Sequence, residues 1–423
     1  MKRPRICIDA RMIDGAYGGI QQFILGLVSG LSKIADYEED YYILVYRGHE
    51  QWLLPYMHDS MNILYDNSFT SSNGMKHYFG KYLKPSLSAA YSSISGLPIF
   101  SKVQELRLPK SSGIIEENNI DIMHFTCQRA FLTKVPSIYH PHDLQHVHLS
   151  GLFTAQEYKT REVMYKNYCE QSSMISVTSS WGKKDLIEHY GLPEKKIQVI
   201  PLAPLTSEYA TPSEIDMAMV RNKYALPEKF IFYPAQTWQH KNHLNLLEAL
   251  AILRDDYRLV VPLVCSGRKS AFYSTIEQRI RELQLEDQVK FLGFVETQEL
   301  SCLYRMSHAV IIPTKFEAAS FPIWEAFEVG VPVSASNVTS LPEQVGEAAL
   351  LFDPERSEEI ALSIFKLWTD DRLCTRLIQE GKRNVAHFSW VKTAQLFRAH
   401  YRRISGNPLS KLDYDLVHSP PLL

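Results

Sequence analysis

The sequence predicts an α/β protein made of two doubly wound domains, each with a parallel sheet wrapped by helices. Short apolar runs alternate with helical patterns along the whole chain of 423 residues, as expected for parallel sheets. This length is sufficient for two domains with separate cores. A segment rich in Pro, Ser and Thr at 202–212 separates two series of runs. We therefore expect domains at 1–203 and 204–390, followed by a helix and tail at 391–423.

Each series of apolar runs gives a set of predicted strands. In the first series they lie at 5–9, 42–46, 122–125, 137–140, 174–178 and 196–201. In the second series they lie at 230–233, 259–264, 289–291, 310–312 and 331–333. Helical runs are predicted at 21–31, 244–254 and 391–404. Because doubly wound sheets bind ligands at the carboxyl ends of their strands, functional residues are sought after each run.

Composition excludes several classes of protein. The charged fraction is 22% and the apolar fraction 45%, which is ordinary for a soluble globular protein. A formal net charge of −2 gives no bulk attraction to nucleic acid, so no nucleic-acid partner is expected. The six cysteines show no CxxC or metal-type spacing. The start of the chain lacks the apolar region of a signal peptide, and no run reaches the length of a membrane span. We expect a cytoplasmic protein.

Two glutamates eight residues apart carry the most functional information. Glu317 follows the apolar run 309–313, and Glu325 lies where a helix is expected to begin, with Pro322 in its first turn and Ser320 as its cap. Acidic groups at such a turn can bind sugar hydroxyls, and the N–H groups of the helix start can bind phosphate. Glu near a helix start is also favoured by the helix dipole alone. The pair by itself therefore leaves a purely structural role open.

This segment, with the runs 330–333, 341–343 and 349–354 after it, resembles the donor-binding signature of retaining GT-B glycosyltransferases of family four. The resemblance covers most of the chain and is strongest over 230–353. It implies the GT-B fold, in which two Rossmann-like domains face each other across a cleft and the last helix returns to the first domain. It also implies that Glu317 binds hydroxyls of the transferred sugar and Glu325 those of the ribose. Ala318 and Ser320 stand where the family usually has glycine.

In the first domain, the glycine pair Gly18-Gly19 leads into the helical run 21–31. Such a turn lets backbone N–H groups approach an anion, although a plain flexible turn fits the sequence equally well. The resemblance places the pair beside the donor diphosphate and the acceptor. It also places His142, which follows a predicted strand, near the C6 hydroxyl of the sugar. From the sequence alone, a lone histidine after a strand is more often structural.

Four nearby histidines raise the question of a metal site in the first domain. They are His140, His142, His146 and His148. No acidic or cysteine partner has a fixed spacing with them, whereas zinc sites usually show such partners. We therefore expect no metal and no cofactor.

In the second domain, Lys241 and Asn242 match a Lys-Asn pair of the family. The lysine of this pair supplies a positive charge for the leaving diphosphate. Gln236 stands where the family has arginine, and Arg268 or Lys269 is the candidate replacement. The resemblance completes the predicted donor site with Phe294 beside the base, and with Ser320, Phe321 and Ile323 at the helix start.

The segment 76–110 combines basic and aromatic residues. Its charged residues are Lys76, Lys81, Lys84, Lys102, Arg107 and Lys110, against the single acid Glu105. This pattern suits an anionic membrane surface, an acceptor that carries pyrophosphate, or an ordinary solvated insertion. Binding to a membrane surface would make the protein peripheral on the inner face of the membrane. Binding to pyrophosphate would help it hold its acceptor.

Taken together, the sequence predicts a retaining hexosyltransferase in polysaccharide synthesis. The donor is a nucleoside-diphosphate hexose of the UDP-glucose or GDP-mannose type, and the acceptor is a saccharide or lipid-linked saccharide. Because the family supplies no agreed carboxylate nucleophile, a front-face mechanism without metal is expected. Asp413-Tyr414-Asp415 looks like a metal motif but is expected in a tail beyond the fold.

Two other functions stay open at this point. One is a GT-B sugar-nucleotide epimerase, which would need no acceptor. The other is a non-catalytic saccharide- or nucleotide-binding protein, which the missing arginine and glycines favour.

Overall fold

The computed structural model describes residues 3–14, 18–34, 36, 38–67, 108–206 and 211–418. Most of the basic and aromatic segment, 76–107, lies outside these residues. The membrane or acceptor role of that segment stays a prediction. Among the described residues, no helix is both long enough and apolar enough to cross a membrane.

The first sheet has seven parallel strands in the order β3-β2-β1-β4-β5-β6-β7. They are β1 Arg5–Asp9, β2 Asp40–Tyr46, β3 Asn62–Asp66, β4 Ile122–Phe125, β5 Ser137–Tyr139, β6 Met174–Val177 and β7 Ile197–Val199. The six strands predicted in this half all form. Strand β3 was not predicted, because it is a half-exposed edge strand with polar residues at both ends, and such a strand lacks the continuous apolar run of an inner one.

The second sheet has six parallel strands in the order β10-β9-β8-β11-β12-β13. They are β8 Ile231–Pro234, β9 Leu263–Ser266, β10 Val289–Phe291, β11 Ala309–Ile312, β12 Val333–Ser336 and β13 Ala349–Phe352. The strand predicted at 259–264 begins only at Leu263, since Val260 in the preceding loop is 59% exposed. The strand predicted at 331–333 begins at Val333, because the N–H of Val331 still bonds to Ala326 of the helix before it.

The helices connect the strands and cover the sheets. They are α1 Gly19–Lys33, α2 Ile114–Glu117, α3 Gln145–His148, α4 Ala155–Gln171, α5 Ser180–Tyr190, α6 Glu214–Tyr224, α7 His243–Asp255, α8 Tyr273–Glu282, α9 Thr297–Met306, α10 Phe321–Val329, α11 Leu341–Val345, α12 Ser357–Thr369, α13 Asp371–Val385, α14 Trp390–Ser405 and α15 Lys411–His418. Short 3₁₀ turns lie at Leu54–Tyr56, Ser150–Leu152, Glu194–Lys196 and Gln239–Lys241. The predicted boundary at 203/204 falls between the two sheets, and the one at 390/391 falls at the start of α14.

Helix α14 returns to the first domain, as the resemblance implied. Trp390 at its start packs on Gly26 of α1 so closely that a Cβ on Gly26 would lie 1.9 Å from the indole. The indole N–H of Trp390 donates to the carbonyl of Pro204 at 3.1 Å. Farther along the helix, the hydroxyl of Tyr401 meets Nδ1 of His124 in β4 at 2.7 Å. The chain therefore ends its second domain on the helix and sheet of the first.

The expectation of a tail beyond the fold at 413–415 is wrong. Asp413 lies in α15 and is 1% exposed. Its carboxylate accepts a hydrogen bond from the Arg402 guanidinium at 2.8 Å, and the same guanidinium donates to Glu38 and Glu39 of the first domain, each at 2.5 Å. Asp413 is thus one of three carboxylates bound by the Arg402 guanidinium, which agrees with discounting 413–415 as a metal motif.

Burial of neutral histidines makes the stability of this fold depend on pH. Burial lowers the pKa to about 4 for His142 and to about 3 for His124, His240, His243 and His400. In the unfolded chain these groups titrate near pH 6.5. Between about pH 6.5 and pH 4 the unfolded state therefore binds more protons than the folded state.

We expect the free energy of unfolding to fall as the pH is lowered through this range, by up to about 2 kcal/mol per histidine at pH 5. Thermal unfolding measured at successive pH values tests this. His243→Leu should make the pH dependence shallower, and the matched change at the exposed His387 should not. A melting temperature that is constant from pH 6.5 to pH 5 would contradict the assignment.

Candidate functional site

The predicted site residues meet where the strand order of each sheet reverses. These points lie between β1 and β4 in the first sheet and between β8 and β11 in the second. Doubly wound sheets bind ligands at such points, outside the carboxyl ends of the strands. A Cβ on Gly18 would lie 3.6 Å from the amide nitrogen of Gln236, and a Cβ on Gly19 would lie 3.3 Å from the ring of Phe321. The two reversal points therefore face each other.

The glycine pair fits its predicted role as a turn. Gly18 has a φ of 48° and immediately precedes α1. This conformation is readily adopted only by glycine. With no side chain at either position, the start of α1 approaches the second domain closely.

At the centre of the site, Lys241 and Glu317 form an ion pair. The Lys241 Nζ donates to both carboxylate oxygens of Glu317, at 2.6 and 2.9 Å. Both side chains are partly shielded, with 19% and 17% of each exposed. The pair joins the loop after β8 to the loop after β11. Sequence analysis predicted both residues but not their contact.

The loop that carries Lys241 is fixed by its neighbours. The Tyr233 hydroxyl donates to the carbonyl of Lys241 at 2.8 Å. Asn242 adopts a left-handed conformation, with φ 61°, which asparagine tolerates better than most residues. Its side-chain amide donates to the carbonyls of Pro313 and Pro354 at 2.9 and 2.8 Å. These bonds explain why an asparagine follows the lysine.

The turn that carries Glu317 forms without the two glycines of the family. Neither Ala318 nor Ser320 has a positive φ, so their side chains cause no backbone strain. Hydroxyls from the segment before α11 hold the turn instead. Thr339 Oγ1 donates to the carbonyl of Glu317 at 2.5 Å, and Ser340 Oγ donates to the carbonyl of Ala318 at 2.7 Å.

Ser320 occupies the N-cap position of α10, but its side chain does not cap the helix. The side-chain amide of Gln344 instead pairs with the backbone of Ser320, accepting from its N–H at 2.9 Å and donating to its carbonyl at 2.7 Å. Within the described residues, the Ser320 Oγ is buried and has no hydrogen-bond partner. The predicted hydroxyl cap is therefore wrong, and this hydroxyl keeps its hydrogen-bonding capacity at the helix start.

Two other predicted donor residues at this helix are mostly buried. The Ile323 side chain is fully buried in the core, and its N–H bonds to the carbonyl of Ser320 at 3.2 Å. Phe321 is 7% exposed and stacks near Trp390, with ring centroids 6.5 Å apart. The Ile323 side chain thus contributes to packing, and a donor contact by its side chain is not available in this structure.

Glu325 lies inside α10 rather than at its start, and it is 2% exposed. Its Oε1 accepts from the amide of Gln22 in the first domain at 2.9 Å, and its Oε2 accepts from the hydroxyl of Tyr304 at 2.5 Å. Burial raises the pKa of this carboxyl. Both oxygens of the predicted ribose ligand are therefore occupied by protein donors.

His142 has a φ of 65°, a strained conformation for a residue with a side chain. Its Nε2 lies 2.8 Å from the carbonyl oxygen of Thr126. Since a carbonyl only accepts, Nε2 carries the proton and Nδ1 is left as an acceptor. The ring stacks on His140 at 4.1 Å, and burial lowers the pKa of His142 to about 4. His142 is therefore neutral at pH 7.

Asp143 completes the polar centre, although sequence analysis gave it no role. Burial raises the pKa of its carboxyl, Glu317 raises it further, and Lys241 opposes this. A carboxyl of the first domain thus lies within electrostatic reach of the ion pair of the second. The resemblance places a His-Asp pair at this point, but sequence analysis carried a role only to His142.

At the outer edge of the site, the indole of Trp238 donates to the Gln236 side chain at 2.9 Å. Phe294 is 54% exposed, and the Arg268 guanidinium lies over its ring at 5.3 Å. The Lys269 ammonium instead lies over the ring of Tyr273 at 3.9 Å. Of the two candidate replacements for the missing arginine, only Arg268 is beside a predicted donor residue.

A second set of contacts joins the domains beside the ion pair. The carboxylate of Glu343 accepts from the N–H groups of Ser180 and Trp181 at the start of α5, at 2.7 and 3.0 Å. The Thr178 hydroxyl donates to the carbonyl of Ala318 at 3.1 Å. A carboxylate is favoured at a helix start because the N–H groups and the helix dipole both attract it. We call these contacts the domain seam.

Two protein-family models match this chain. The model described as glycosyl transferases group 1 matches residues 217–384, and the model described as glycosyltransferase family 4 matches residues 98–203. The first covers the Lys241–Glu317 pair and α10. The second ends where the first domain was predicted to end.

Three bacterial proteins have similar sequences. An O-antigen chain mannosyltransferase B of Escherichia coli is 29% identical over 279 residues, which are 63% of this chain and 72% of that protein. The serotype-specific mannosyltransferase WbdA of E. coli is 27% identical over 244 residues, 56% of this chain and 29% of that protein. A D-inositol 3-phosphate glycosyltransferase of Corynebacterium efficiens is 26% identical over 64% of this chain and 66% of that protein.

Solved structures share the whole architecture. A sucrose-phosphate synthase of Thermosynechococcus elongatus superposes with a TM-score of 0.70 at 18% identity, over 96% of this chain and 100% of that one. Anabaena HepE in complex with UDP and glucose gives a TM-score of 0.67 at 17% identity, over 95% and 100% of the two chains. These likenesses confirm the predicted fold of two facing Rossmann-like domains.

Proposed function

Since this chain belongs to the family 4-type glycosyltransferases with the GT-B fold, we propose that it is a retaining hexosyltransferase acting in polysaccharide synthesis. The donor is a nucleoside-diphosphate hexose, and the acceptor is a saccharide or a lipid-linked saccharide. The observation that carries this proposal is the Lys241–Glu317 pair at the facing reversal points, with an N–O distance of 2.6 Å. A cation suited to a diphosphate and a carboxylate suited to sugar hydroxyls thus lie side by side.

The ion pair suggests how the donor binds. The diphosphate takes the place of Glu317 as the partner of Lys241, and the carboxylate then accepts hydrogen bonds from the sugar hydroxyls. Each charge in the pair gains a new partner as it loses the old one, so neither is left buried and unpaired. The hydroxyl of Ser320 and the backbone near Gly18 and Gly19 add neutral donors for the diphosphate oxygens.

The carboxyls of the site favour substitution on one face of the sugar. A double displacement needs an ionised and unpaired carboxylate below the anomeric carbon. Both oxygens of Glu325 are occupied by Gln22 and Tyr304, and Glu317 accepts hydrogen bonds from the sugar hydroxyls once the diphosphate has taken Lys241. In the front-face route, the acceptor oxygen bonds to the anomeric carbon while the bond to the diphosphate breaks. The acceptor proton passes to the departing phosphate oxygen, and Lys241 stabilises the charge that develops there.

His142 is proposed to act as a neutral hydrogen-bond acceptor in this reaction. Its Nε2–H donates a hydrogen bond to the backbone carbonyl of Thr126. Nδ1 therefore remains to accept a hydrogen bond from the C6 hydroxyl of the sugar. It neither donates a proton nor carries a positive charge at pH 7, because its pKa is held near 4 by burial.

The relatives favour a GDP-mannose-type donor over a UDP-glucose-type one. The O-antigen chain and serotype-specific enzymes are both mannosyltransferases. The UDP complexes of HepE come from a protein of 17% identity and support only the fold. No relative named above is an epimerase or a non-catalytic protein, so those alternatives gain no support.

The reaction is expected to continue without a divalent metal. Lys241 and the helix start supply the positive charge that a metal would otherwise bring to the diphosphate. Transfer should be measured in excess EDTA and again after adding Mg²⁺ or Mn²⁺. Activity within about twofold of the untreated enzyme supports the proposal. Complete loss on chelation with recovery on metal would refute the role given to Lys241.

Replacing Glu325 and replacing Glu317 are expected to have different effects on nucleotide binding and on transfer. Glu325→Ala should weaken the bare nucleoside diphosphate about tenfold or more, because a hydrogen bond to a charged group is worth roughly 1.5–3 kcal/mol. Glu317→Ala should bind the bare nucleotide at least as tightly as wild type, since it frees Lys241 of its competitor, and yet be strongly impaired in transfer.

Calorimetry with GDP and UDP, followed by a transfer assay, separates the two glutamates. Glu355→Ala is a matched control, because it removes the partner of Lys315 from an exposed ion pair in the same domain. If both glutamate variants bind the bare nucleotide equally weakly, the roles of the two glutamates have been assigned incorrectly.

Gln22 is expected to compete with the nucleotide for Glu325. If ribose takes the Glu325 oxygen that now accepts from Gln22, Gln22→Ala should bind nucleoside diphosphate roughly two- to tenfold more tightly, which corresponds to one ordinary hydrogen bond. The control is Gln21→Ala, at the position before Gln22, which removes an exposed hydrogen bond to Asp14. Weaker binding by Gln22→Ala would mean that Gln22 contacts the donor itself.

A further inference from the structure

Three metal-ligating side chains lie together in the first domain, outside the donor site. His148 ends α3, while Asp185 and His189 lie one turn apart on α5. One ligand atom from each falls within 4.8 Å of the others. The Asp185 Oδ1 lies 2.7 Å from His148 Nε2 and 3.2 Å from His189 Nδ1. Both imidazoles therefore point a nitrogen at one carboxylate oxygen.

The exposure of the three side chains would let an ion reach them from solvent. The Asp185 side chain is 6% exposed, whereas those of His148 and His189 are 30% and 33% exposed. A carboxylate is thus held beneath two imidazoles that face water. Zinc-type sites with three protein ligands take nitrogen and carboxylate ligands at about 2.0–2.2 Å and keep one position for water. Small side-chain rotations would bring these three groups to such distances from one ion.

We propose that His148, Asp185 and His189 bind one divalent ion of the zinc class, with solvent completing its coordination. Two imidazoles and one carboxylate favour Zn²⁺, Co²⁺ or Ni²⁺ over Mg²⁺ and Ca²⁺, which prefer oxygen ligands. Binding would replace the hydrogen bonds that now join the imidazoles to Asp185, and also the contact of His189 Nδ1 with the Asp185 carbonyl at 3.0 Å.

The ion would lie beside the domain seam. The His148 ring is 5.3 Å from the ring of Phe316, which belongs to the second domain and directly precedes Glu317. It is also 5.4 Å from the ring of Trp181, whose backbone N–H donates to Glu343 across the seam. A bound ion would fix the His148 ring against Phe316. We assign the ion a positioning role there, and the proposal does not depend on the residue roles given to the donor site.

Sequence analysis found no acidic partner at fixed spacing from the histidines, because Asp185 follows His148 by 37 residues and comes from another helix. The other histidines of the group have different surroundings. His146 Nε2 bonds to Glu162 at 2.7 Å, and His140 stacks on His142. Only His148 joins the three-ligand group.

The test uses the full chain without a histidine tag, treated with EDTA and then freed of it. Calorimetry with Zn²⁺ and visible absorption on adding Co²⁺ should give one ion per chain for wild type. His148→Ala and His189→Ala should abolish binding, and Asp185→Asn should weaken it about tenfold or more. His387→Ala, at an exposed histidine of the second domain, should bind as wild type.

Trp181 reports where the ion binds. Co²⁺ should quench tryptophan fluorescence in wild type, and Trp181→Phe should remove that quenching while the binding stoichiometry stays the same. No binding by wild type, or equal binding by wild type and His189→Ala, would overturn the proposal. If the changes at His148 and Asp185 prevent folding, His189→Ala, on the exposed side of α5, decides alone. Transfer in EDTA is measured for wild type and for His189→Ala, so a loss shared by both bears on the proposed function and a loss confined to wild type bears on this ion.

Discussion

The close packing of α1 against α14 is the constraint on which the candidate site depends. Trp390 fits over α1 only because position 26 is glycine, and a Cβ on Gly30 would lie 2.2 Å from the carbonyl oxygen of Trp390. Residues with side chains at these positions would push the helices apart. Because the start of α1 carries Gly18, Gly19 and Gln22, its position relative to α10 sets the width of the site. The Phe321 ring of α10 stacks near Trp390 of α14 and also lies against Gly19 at the start of α1.

Given that geometry, each charge at the centre of the site already has a partner within the protein. Lys241 is bonded to Glu317, Glu325 to Gln22 and Tyr304, and Glu343 to the start of α5. Buried charges without partners would be costly, so these charges are compensated without a donor, and the bonds of Glu325 and Glu343 also join the two domains. It also means that a ligand binds by exchange. A molecule that carries only a diphosphate, or only sugar hydroxyls, replaces half of the Lys241–Glu317 pair and leaves the other half unpaired. Such exchange favours the complete nucleotide sugar over its parts.

What the sequence predicted was mainly local. Continuous apolar runs predicted the inner parallel strands, and the resemblance to the family singled out Lys241 and Glu317 in the turns after β8 and β11. What it could not predict were contacts between distant residues. Gln22 and Glu325 are 303 positions apart, and their bond depends on how the two domains face each other. The same reason applies to Ser320. Serine at a helix start predicts a hydroxyl cap, but the Ser320 hydroxyl makes no such bond, and Gln344 of the next helix pairs with the N–H and carbonyl of Ser320 itself.

Two groups of histidines in the first domain show why residue type alone does not define a site. His124, His140 and His142 are packed around Phe23, with their ring nitrogens either facing neutral groups or unpartnered within the described residues. Among the described residues, none of these three rings is hydrogen-bonded to a carboxylate. Burial lowers all three pKa values, so the rings stay neutral and serve packing and hydrogen bonding. His148 and His189 differ in having a buried carboxylate between them and water beside them. An ion needs both a compensating charge and a route from solvent. The second group provides them, and the first group, although it holds more histidines, does not.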